Sequence, residues 1–381
     1  MNFEFTEEQL MIQQAARDYA QRELINDVIE RDTHSIYPAK HVKALAELGF
    51  MGMMVSPEYD GAGMDTISYV LAMEELSKAD ASTSVIMSVN NSLVCYGIER
   101  FGTEDQKQKF LKPLARGEKI GAFLLSEPEA GSDATSQKTT AEDKGDHYVI
   151  NGTKNWITNG NTASTYLVIA QTHPELGHKG INVLIVDRHS AGISVGPHED
   201  KMGMRSSDTH SVMFTDVIVP KENRIGEDGF GFKFAMKTLE GGRIGIAAQA
   251  LGLASGALER SIKYAQERKA FGKELSKHQA IAFKIAEMAI KVENARNLCL
   301  KAAWLKDQRK PYGYASAMAK YYAAEIAMQV TTDAVQIHGG YGYVKEYHVE
   351  RLMREAKLTQ IYEGTSEIQK IVISRELMHV H

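Results

Sequence analysis

The hydrophobic pattern of the chain changes near Lys119, and this change decides the fold. Five short runs rich in β-branched and aromatic residues follow: GAFLLSEP (121–128), HYVINGTKNWIT (147–158), TYLVIAQT (165–172), INVLIVDR (181–188) and HSVMFTDVIVP (210–220). Gly, Asn, Asp and Pro separate these runs, and no helical segment intervenes. Because parallel strands need crossover helices, the stretch predicts a middle antiparallel β-barrel or β-sandwich domain.

The sequence on both sides of this stretch has helical periodicity. Capping boxes are predicted upstream at Thr6 with Gln9 and at Thr103 with Gln106. Downstream, amphipathic or Ala-rich segments cover residues 233–268, 280–306 and 314–337. We therefore expect a multidomain α+β protein with three domains: an N-terminal α-helical domain (1–120), the middle β domain (121–230) and a C-terminal four-helix bundle (231–381).

Composition excludes several classes of protein. The 381 residues carry a net charge of −5, which argues against a nucleic-acid-binding protein. Cys95 and Cys299 are the only cysteines and lie in apolar segments, so neither a disulfide framework nor a zinc or other metal site is expected. No apolar run approaches the roughly 20 residues of a membrane span. We expect a soluble, cytoplasmic protein without a membrane partner.

Two segments of the middle region contain candidate ligand-binding residues. SEPEAGSD (126–133) is either a polar turn or a loop whose amides and serine hydroxyls approach a polar ligand, with Gly131 permitting the close approach. NGTKNWITNG (151–160) is expected to be a short strand between two Asn-Gly turns. Its Trp156 is either a half-buried core residue or an aromatic surface beside a planar cofactor.

Three segments of the C-terminal region are ambiguous in the same way. In LEGGRIGIAAQALGLA (239–254), Arg243 is expected near a helix start, where it opposes the macrodipole; it either pairs with Glu240 or binds a ligand. ERKAFGK (267–273) is a basic turn, followed by a predicted capping box of Ser276 with Gln279. QIHGGYGYVKEY (336–347) is either a helix end or a phosphate contact, and without a preceding strand it is not a Rossmann loop.

The last segment, TQIYEGTSEIQKIVISREL (359–377), contains the strongest candidate for acid–base chemistry. A predicted capping box of Ser366 with Gln369 opens the final helix and places Glu363 in the preceding loop. Apolar neighbours would raise the pKa of Glu363, which suits a general base. A solvated loop carboxylate is the alternative.

Six segments together resemble the acyl-CoA dehydrogenase family, in the family's order and over essentially the whole chain. They are AFLLSEPEAGSD (122–133), NGTKNWITNG (151–160), LEGGRIGIAAQALG (239–252), ERKAFGK (267–273), QIHGGYG (336–342) and IYEGTSEIQ (361–369). The resemblance implies FAD as the cofactor, a homotetramer, and dehydrogenation of an acyl-CoA thioester to the trans-2-enoyl-CoA. It also implies electron-transferring flavoprotein as the electron acceptor.

The resemblance also implies roles for individual residues. Glu363 would remove the α proton while the β hydride passes to flavin N5; some members place the base just before the arginine, but that position here is Gly242. The implied substrate contacts are Ser132, Glu240, Arg243, Tyr362 and Gly364. The implied FAD contacts are Phe123, Leu125, Ser126, Gly131, Ser132, Trp156, Ile157, Thr158, Arg268, Phe271, Gln279, Gln336, His338, Gly339, Gly340, Thr365 and Glu367.

The expected substrate is a short acyl-CoA. ASTSVIMSVNNSL (81–93) and IYEGTSEIQ look most like the short-chain, butyryl-CoA type. A branched short-chain type (2-methylbutyryl or isobutyryl) remains an alternative because it shares the LEGGRIGIAAQ stretch. An acyl-CoA oxidase is an alternative within the same fold, but such enzymes usually carry a further C-terminal domain. A helical binding protein without flavin is the alternative from another class.

Overall fold

The computed structural model describes residues 4–378. Its first region is helical, and the predicted capping boxes at Thr6 with Gln9 and Thr103 with Gln106 are confirmed. The helices are α1 (Glu7–Tyr19), α2 (Val28–His34), α3 (Ala39–Glu47), α4 (Thr66–Ala79), α5 (Ala81–Ser88), α6 (Tyr96–Phe101), α7 (Glu104–Gln106) and α8 (Lys112–Ala115). A buried π-helical turn, Val89–Cys95, joins α5 to α6, so one continuous helical path crosses this region.

The middle region is one seven-stranded sheet. Its strands are β1 (Gly121–Leu124), β2 (Thr140–Asp143), β3 (His147–Thr158), β4 (Thr165–Gln171), β5 (Ile181–Asp187), β6 (Ile193–Val195) and β7 (Thr209–Pro220). The order is β1-β4-β2-β3-β7-β6, with β5 paired to β4. Pairing is mostly antiparallel, as predicted, but β4 pairs in parallel with β1 and, at Gln171, with Thr140 of β2.

The expected turn–strand–turn at residues 151–160 is wrong at its first turn. Asn151 and Gly152 lie inside β3, which pairs with β7 from His147 to Thr158. The register shifts between Ile150 and Gly152, so the Asn-Gly pair produces an irregularity in a long strand. Pairing along the whole strand overrides the local turn preference of the dipeptide.

The last region consists of three long and two shorter helices. They are α9 (Gly231–Glu267), α10 (Gln279–Asp307), α11 (Gly313–His338), α12 (Val349–Thr359) and α13 (Ser366–Met378). A small hairpin, β8 (Lys269–Ala270) with β9 (Lys273–Glu274), separates α9 from α10. The three long helices agree with the sequence prediction to within a few residues.

Two of the predicted helix caps are wrong. α10 follows His278 without a side-chain cap, so the Ser276–Gln279 box does not form. The cap of α13 is Thr365, whose hydroxyl accepts a 3.3 Å hydrogen bond from the Ile368 amide. Ser366 is instead the first residue of the helix, and its hydroxyl donates to Glu325 at 2.6 Å.

One hydrophobic core joins both helical regions, and a second core lies within the sheet. Close packing of α4 on α9 depends on small residues, since a Cβ at Gly252 would lie 2.5 Å from the carbonyl oxygen of Glu74. This packing brings α9 alongside the N-terminal helices and against the loop between α12 and α13. Among residues 4–378, none of the helices is both long and apolar enough to cross a membrane.

Candidate active site

The loop between α12 and α13 presents Glu363 in an unusual conformation. Its φ of 51° is in the left-handed region, and Gly364 follows with φ of 90°. The Oε2 atom of Glu363 is buried and has no hydrogen-bond partner among residues 4–378. Burial raises the pKa of Glu363 to about 7, although the positive charges of Lys320 and Arg243 act in the opposite direction. A carboxyl group of this kind can gain and lose a proton near neutral pH.

The backbone amide of Glu363 is also available to a ligand. Among the described residues, no carbonyl or side chain accepts a hydrogen bond from it, whereas the neighbouring Tyr362 amide donates to Leu358 at 3.1 Å. An amide N–H free beside an unpaired carboxylate can polarise a carbonyl oxygen while the carboxylate acts on the adjacent carbon.

A polar chain that the sequence analysis did not identify closes one side of this site. The Tyr362 hydroxyl donates to the side-chain oxygen of Gln249. Gln249, on α9, is fully buried and donates to the carbonyl oxygen of Ala81 at 2.9 Å and to the Ser84 hydroxyl at 3.0 Å. The sequence did contain a signal for this chain, because Gln249 is a polar residue within an apolar helical run. A buried side-chain amide needs hydrogen-bond partners, so such a residue indicates a buried polar contact.

Arg243 lies in the interior of α9, which begins at Gly231, so its expected position near the helix start is wrong. The side chain is 8% exposed, and no residue that the structure describes accepts a hydrogen bond from its buried Nε. No ion pair with Glu240 forms within the described part of the chain, so the simple pairing alternative is not supported. Burial lowers the pKa of Arg243 and raises that of Glu240. A buried guanidinium without an acceptor fits a polar ligand.

A second group of residues, predicted to contact FAD, lies on the sheet and in the loop beside it. The Asn155 amide donates to the Ser126 carbonyl oxygen at 2.8 Å, which brings the 126–133 loop beside β3. Trp156 has φ of 61° and is 60% exposed, so it is not a half-buried core residue. The other members range from buried to exposed: Ile157 is buried, Phe123, Leu125 and Thr158 are half-buried, and Gly131 and Ser132 are exposed.

A buried ion pair that the sequence analysis missed holds this loop. The Lys154 ammonium is fully buried and lies 2.8 Å from Glu127 Oε1. It also donates to the Leu125 carbonyl oxygen at 3.0 Å, while Glu127 accepts from the Thr139 amide at 3.0 Å. Burial lowers the pKa of Lys154 to about 8. The exposed Trp156 ring beside a rigid loop fits a flat aromatic cofactor such as a flavin.

A third group lies at the far end of α9. The Arg268 guanidinium is 5.5 Å from the centre of the Tyr341 ring, and Phe271 is 97% exposed. Other members of this group are exposed too: Gln279, Gln336, Gly339 and Gly340. His338 differs, because its ring is buried, stacks on Tyr264 at 4.2 Å and contacts the Ala334 carbonyl oxygen at 2.7 Å through Nδ1. Its ring is thus engaged within the protomer.

The structure does not bring this third group near Glu363. Residues 243 and 268 are separated by most of α9, about 37 Å of helical rise. That separation exceeds what one FAD molecule spans. Thr365 and Glu367, at the start of α13, remain close to Glu363 in the chain, and Glu367 is exposed. Thr365 and Glu367, which are also predicted FAD contacts, therefore lie far from the third group within one protomer.

Comparison with known proteins identifies the class to which this fold and site belong. The acyl-CoA dehydrogenase N-terminal domain family matches residues 6–118, the middle domain family residues 122–217 and the C-terminal domain family residues 229–378. The chain belongs to the acyl-CoA dehydrogenase family. It is a flavin-dependent oxidoreductase with FAD as its cofactor.

Individual relatives match over nearly their whole length. The short-chain specific acyl-CoA dehydrogenase of Clostridium acetobutylicum is 51% identical over 99% of this chain and 100% of its own. Butyryl-CoA dehydrogenase from Megasphaera elsdenii is 47% identical, with a TM-score of 0.98 over 99% and 100% of the two chains. A chain in a structure described as the electron transferring flavoprotein of Acidaminococcus fermentans is 51% identical, with a TM-score of 0.98 over 99% and 100%.

Proposed function

We propose that this protein catalyses FAD-dependent α,β-dehydrogenation of a short-chain, butyryl-CoA-like acyl-CoA to the trans-2-enoyl-CoA. The observation that carries the proposal is the unpaired, buried Oε2 of Glu363, in a loop whose amide is also free. The family membership and the similarity to short-chain specific and butyryl-CoA dehydrogenases support the same reaction.

Glu363 removes the α proton of the thioester. Below its pKa of about 7 the carboxyl group is protonated and inactive as a base, and above it the carboxylate is free. The raised pKa of the base reduces the difference from the much higher pKa of the α C–H group. This smaller difference lowers the free-energy cost of the proton transfer. The alternative position for the base, next to Arg243, is occupied by Gly242, which has no proton acceptor.

The Glu363 amide polarises the thioester carbonyl. Negative charge develops on the carbonyl oxygen as the α proton leaves, and a preoriented N–H stabilises that charge without reorganisation. The buried Arg243 and the half-buried Glu240 offer polar contacts to the CoA chain, together with Ser132, Tyr362 and Gly364. These contacts hold the α carbon against the carboxylate.

Bound FAD supplies the acceptor of the β hydride at flavin N5. We assign its ring to the surface formed by Leu125, Ser126, Trp156 and Thr158, where the tryptophan is exposed. Phe123, Gly131, Ser132 and Ile157 are assigned to FAD on the same side of the sheet. Thr365 and Glu367, at the start of α13, are assigned to FAD beside Glu363. The Lys154–Glu127 ion pair keeps the loop that begins at Ser126 in place.

The chain works as a homotetramer in which a second protomer completes each FAD site. The cluster of Arg268, Phe271, Gln279, Gln336 and residues 338–340 is too far from Glu363 to reach the same FAD within one protomer. Exposed apolar side chains support an interface here: Phe271 at 97%, Phe283 at 60% and Ile290 at 62%. Light scattering of the holoenzyme tests this assembly, and a monomer that retains FAD would contradict it.

The short-chain preference agrees with the closed wall beside the base. Tyr362, Gln249 and Ser84 are linked by hydrogen bonds, and a Cβ at Gly245 would lie 2.6 Å from the Tyr69 hydroxyl. Such a wall limits the length of chain that fits. A branched 2-methylbutyryl or isobutyryl substrate remains the second candidate, because a short cavity also admits a methyl branch.

Electron-transferring flavoprotein is the proposed electron acceptor, and the cytoplasm the proposed location. The chain similar to this one in the Acidaminococcus fermentans flavoprotein structure supports the pairing. Reoxidation of the substrate-reduced enzyme by purified electron-transferring flavoprotein tests it, and a reduced enzyme that only oxygen reoxidises would contradict it. Cell fractionation tests the location.

Anaerobic titration of the holoenzyme tests the reaction itself. Butyryl-CoA is expected to bleach the flavin absorbance at lower concentrations than longer or branched acyl-CoAs. Glu363→Gln is expected to retain FAD and lose bleaching, because an amide cannot accept the α proton. Bleaching by none of the acyl-CoAs would refute the dehydrogenase function, and bleaching of Glu363→Gln would move the base elsewhere.

A further inference from the structure

A lysine on α11 is buried directly behind the catalytic loop. The side chain of Lys320 is fully buried, and α11 surrounds it with the buried residues Ala317, Ala319, Ala323 and Ala324. Its ammonium group donates a 2.5 Å hydrogen bond to the carbonyl oxygen of Gly364. Within residues 4–378 it forms no other hydrogen bond and no ion pair. Burying a charge is costly, so a lysine with a single carbonyl partner in an alanine-rich face requires a reason beyond packing.

The loop that this lysine contacts is conformationally strained. Glu363 is a non-glycine residue in the left-handed region, a conformation that persists only where the surroundings hold it. Gln369, fully buried on α13, donates to the carbonyl oxygens of Gly364 at 3.0 Å and of Glu363 at 3.3 Å. Lys320 and Gln369 therefore converge on one carbonyl oxygen from two different helices.

We propose that Lys320 is a positioning residue for proton removal, which fixes the Gly364 carbonyl and thereby the amide and carboxylate of Glu363. The proposal rests on the function assigned to Glu363 above. Displacement of the Gly364 carbonyl would let the backbone of residues 363 and 364 shift, which would move the Glu363 amide away from the thioester oxygen and turn the carboxylate from the α carbon. Misplacement by about 1 Å at a reacting centre costs up to about 100-fold in rate.

Lys320 also contributes charge to the site. The cations that face Glu363 are Lys320 from α11 and Arg243 from α9. The hydroxyls of Tyr69 and Tyr362 face it as well, while Glu325 and Glu367 face the lysine. Loss of Lys320 would leave Arg243 as the one cation that favours the carboxylate form, so the pH at which Glu363 ionises would rise.

The test compares Lys320→Met, which removes the ammonium group but keeps a long, unbranched side chain, with Thr331→Val. Thr331 is a buried polar residue of the same helix whose hydroxyl donates to Ala327 at 2.7 Å, away from the catalytic loop. Both holoenzymes are mixed anaerobically with butyryl-CoA, and bleaching is followed per bound flavin from pH 5.5 to 9. Lys320→Met is expected to bleach about 10- to 100-fold more slowly, with its pH midpoint raised and its substrate Kd changed less than the rate. Thr331→Val is expected to match the wild type.

If Lys320 has a purely structural role, Lys320→Met lowers the FAD content or the Tm but leaves the rate per bound flavin and the pH midpoint unchanged. This outcome would overturn the proposal.

If Lys320→Met does not yield holoenzyme, Gln369→Met decides instead. It removes the second donor to the same carbonyl, so a slower rate at unchanged Kd is expected and an unchanged rate contradicts the proposal. Failure of the function itself is distinct, since the wild type would then not bleach, or Glu363→Gln would.

Discussion

The carboxylate of Glu363 lies against Gly242 of α9, in the space that a side chain at position 242 would fill. A Cβ at Gly242 would be 2.3 Å from Glu363 Oε2 and 2.8 Å from Leu93 Cδ2. The neighbouring Gly241 differs, because its Cβ would meet only the Lys306 ammonium and the Tyr312 hydroxyl, each at 3.8 Å. The two adjacent glycines therefore have different structural roles, and of the two only Gly242 makes room for the Glu363 carboxylate.

Gly242→Ala is expected to slow flavin bleaching by butyryl-CoA by about 10- to 100-fold, because the new methyl group displaces the carboxylate from its position. Gly241→Ala is the matched control, since it adds the same methyl group one residue away at ordinary van der Waals distance from its neighbours, and it should bleach at nearly the wild-type rate. Stopped-flow measurement under anaerobic conditions gives both rates. Equal rates for the two variants would show that contact with Gly242 does not position Glu363.

The kcat/KM for butyryl-CoA is expected to rise with pH through a midpoint near 7. Burial raises the pKa of Glu363 to about 7 from its ordinary value of 4.5, and only the deprotonated form accepts a proton. Below the midpoint the rate should fall about tenfold per pH unit. Burial also raises the pKa of Glu355 to about 7, so Glu355→Gln is the control and should leave the midpoint unchanged. A midpoint near 4.5 in the wild type would contradict the buried state of the base.

Glu363→Gln is expected to stabilise the folded holoenzyme at pH 8 but not at pH 4.5. At pH 8 the wild type buries a charged carboxylate, whereas below the unfolded pKa of about 4.5 the group is neutral in both states. The gain should thus appear as the pH rises from about 4.5 to about 7 and reach about 1–3 kcal/mol. The difference in Tm between variant and wild type across this range measures it. A gain independent of pH would assign the effect to packing instead of charge.

Trp156→Ala is expected to weaken FAD binding by about 10-fold, because a largely exposed aromatic ring in a left-handed conformation loses its stacking contact. Ile218→Ala is the matched control, since Ile218 is 63% exposed on β7 of the same sheet. Fluorescence titration of the apoprotein with FAD compares the two variants. If both lose the same affinity, the tryptophan has no specific role in the flavin site.

Periodicity along the chain was sufficient to predict the order of helical, β and helical regions. The long helices α9, α10 and α11 were predicted to within a few residues because their apolar faces repeat over many turns. Sequence motifs that mark the ends of helices and strands were less reliable predictors. Thr365, not Ser366, caps α13, and Asn151 with Gly152 lies within a strand, because pairing and packing outweigh the preferences of two or three residues.

The candidate base was recognisable from the sequence, but the residues that control it were not. Glu363 stands in a loop before a predicted helix and between apolar neighbours, which already suggests a raised pKa. Lys320 lies in a helical segment that the sequence analysis did not treat as functional. Gln249 and Gln369 lie in segments that it singled out for other residues, Arg243 and Glu363. Their hydrogen bonds join helices far apart in the chain, and no local pattern records such a contact.

The sequence by itself determined the family and the three-region architecture, and it singled out Glu363 as the candidate base, because these depend on periodicity and on collinear motifs. Only the tertiary structure decided what surrounds that group. The raised pKa to about 7, the free Oε2, the space reserved at Gly242 and the hydrogen bond from Lys320 all arise where α9, α11 and the loop before α13 meet. The physical reason is that desolvation and charge depend on distance in space, whereas a sequence records only distance along the chain.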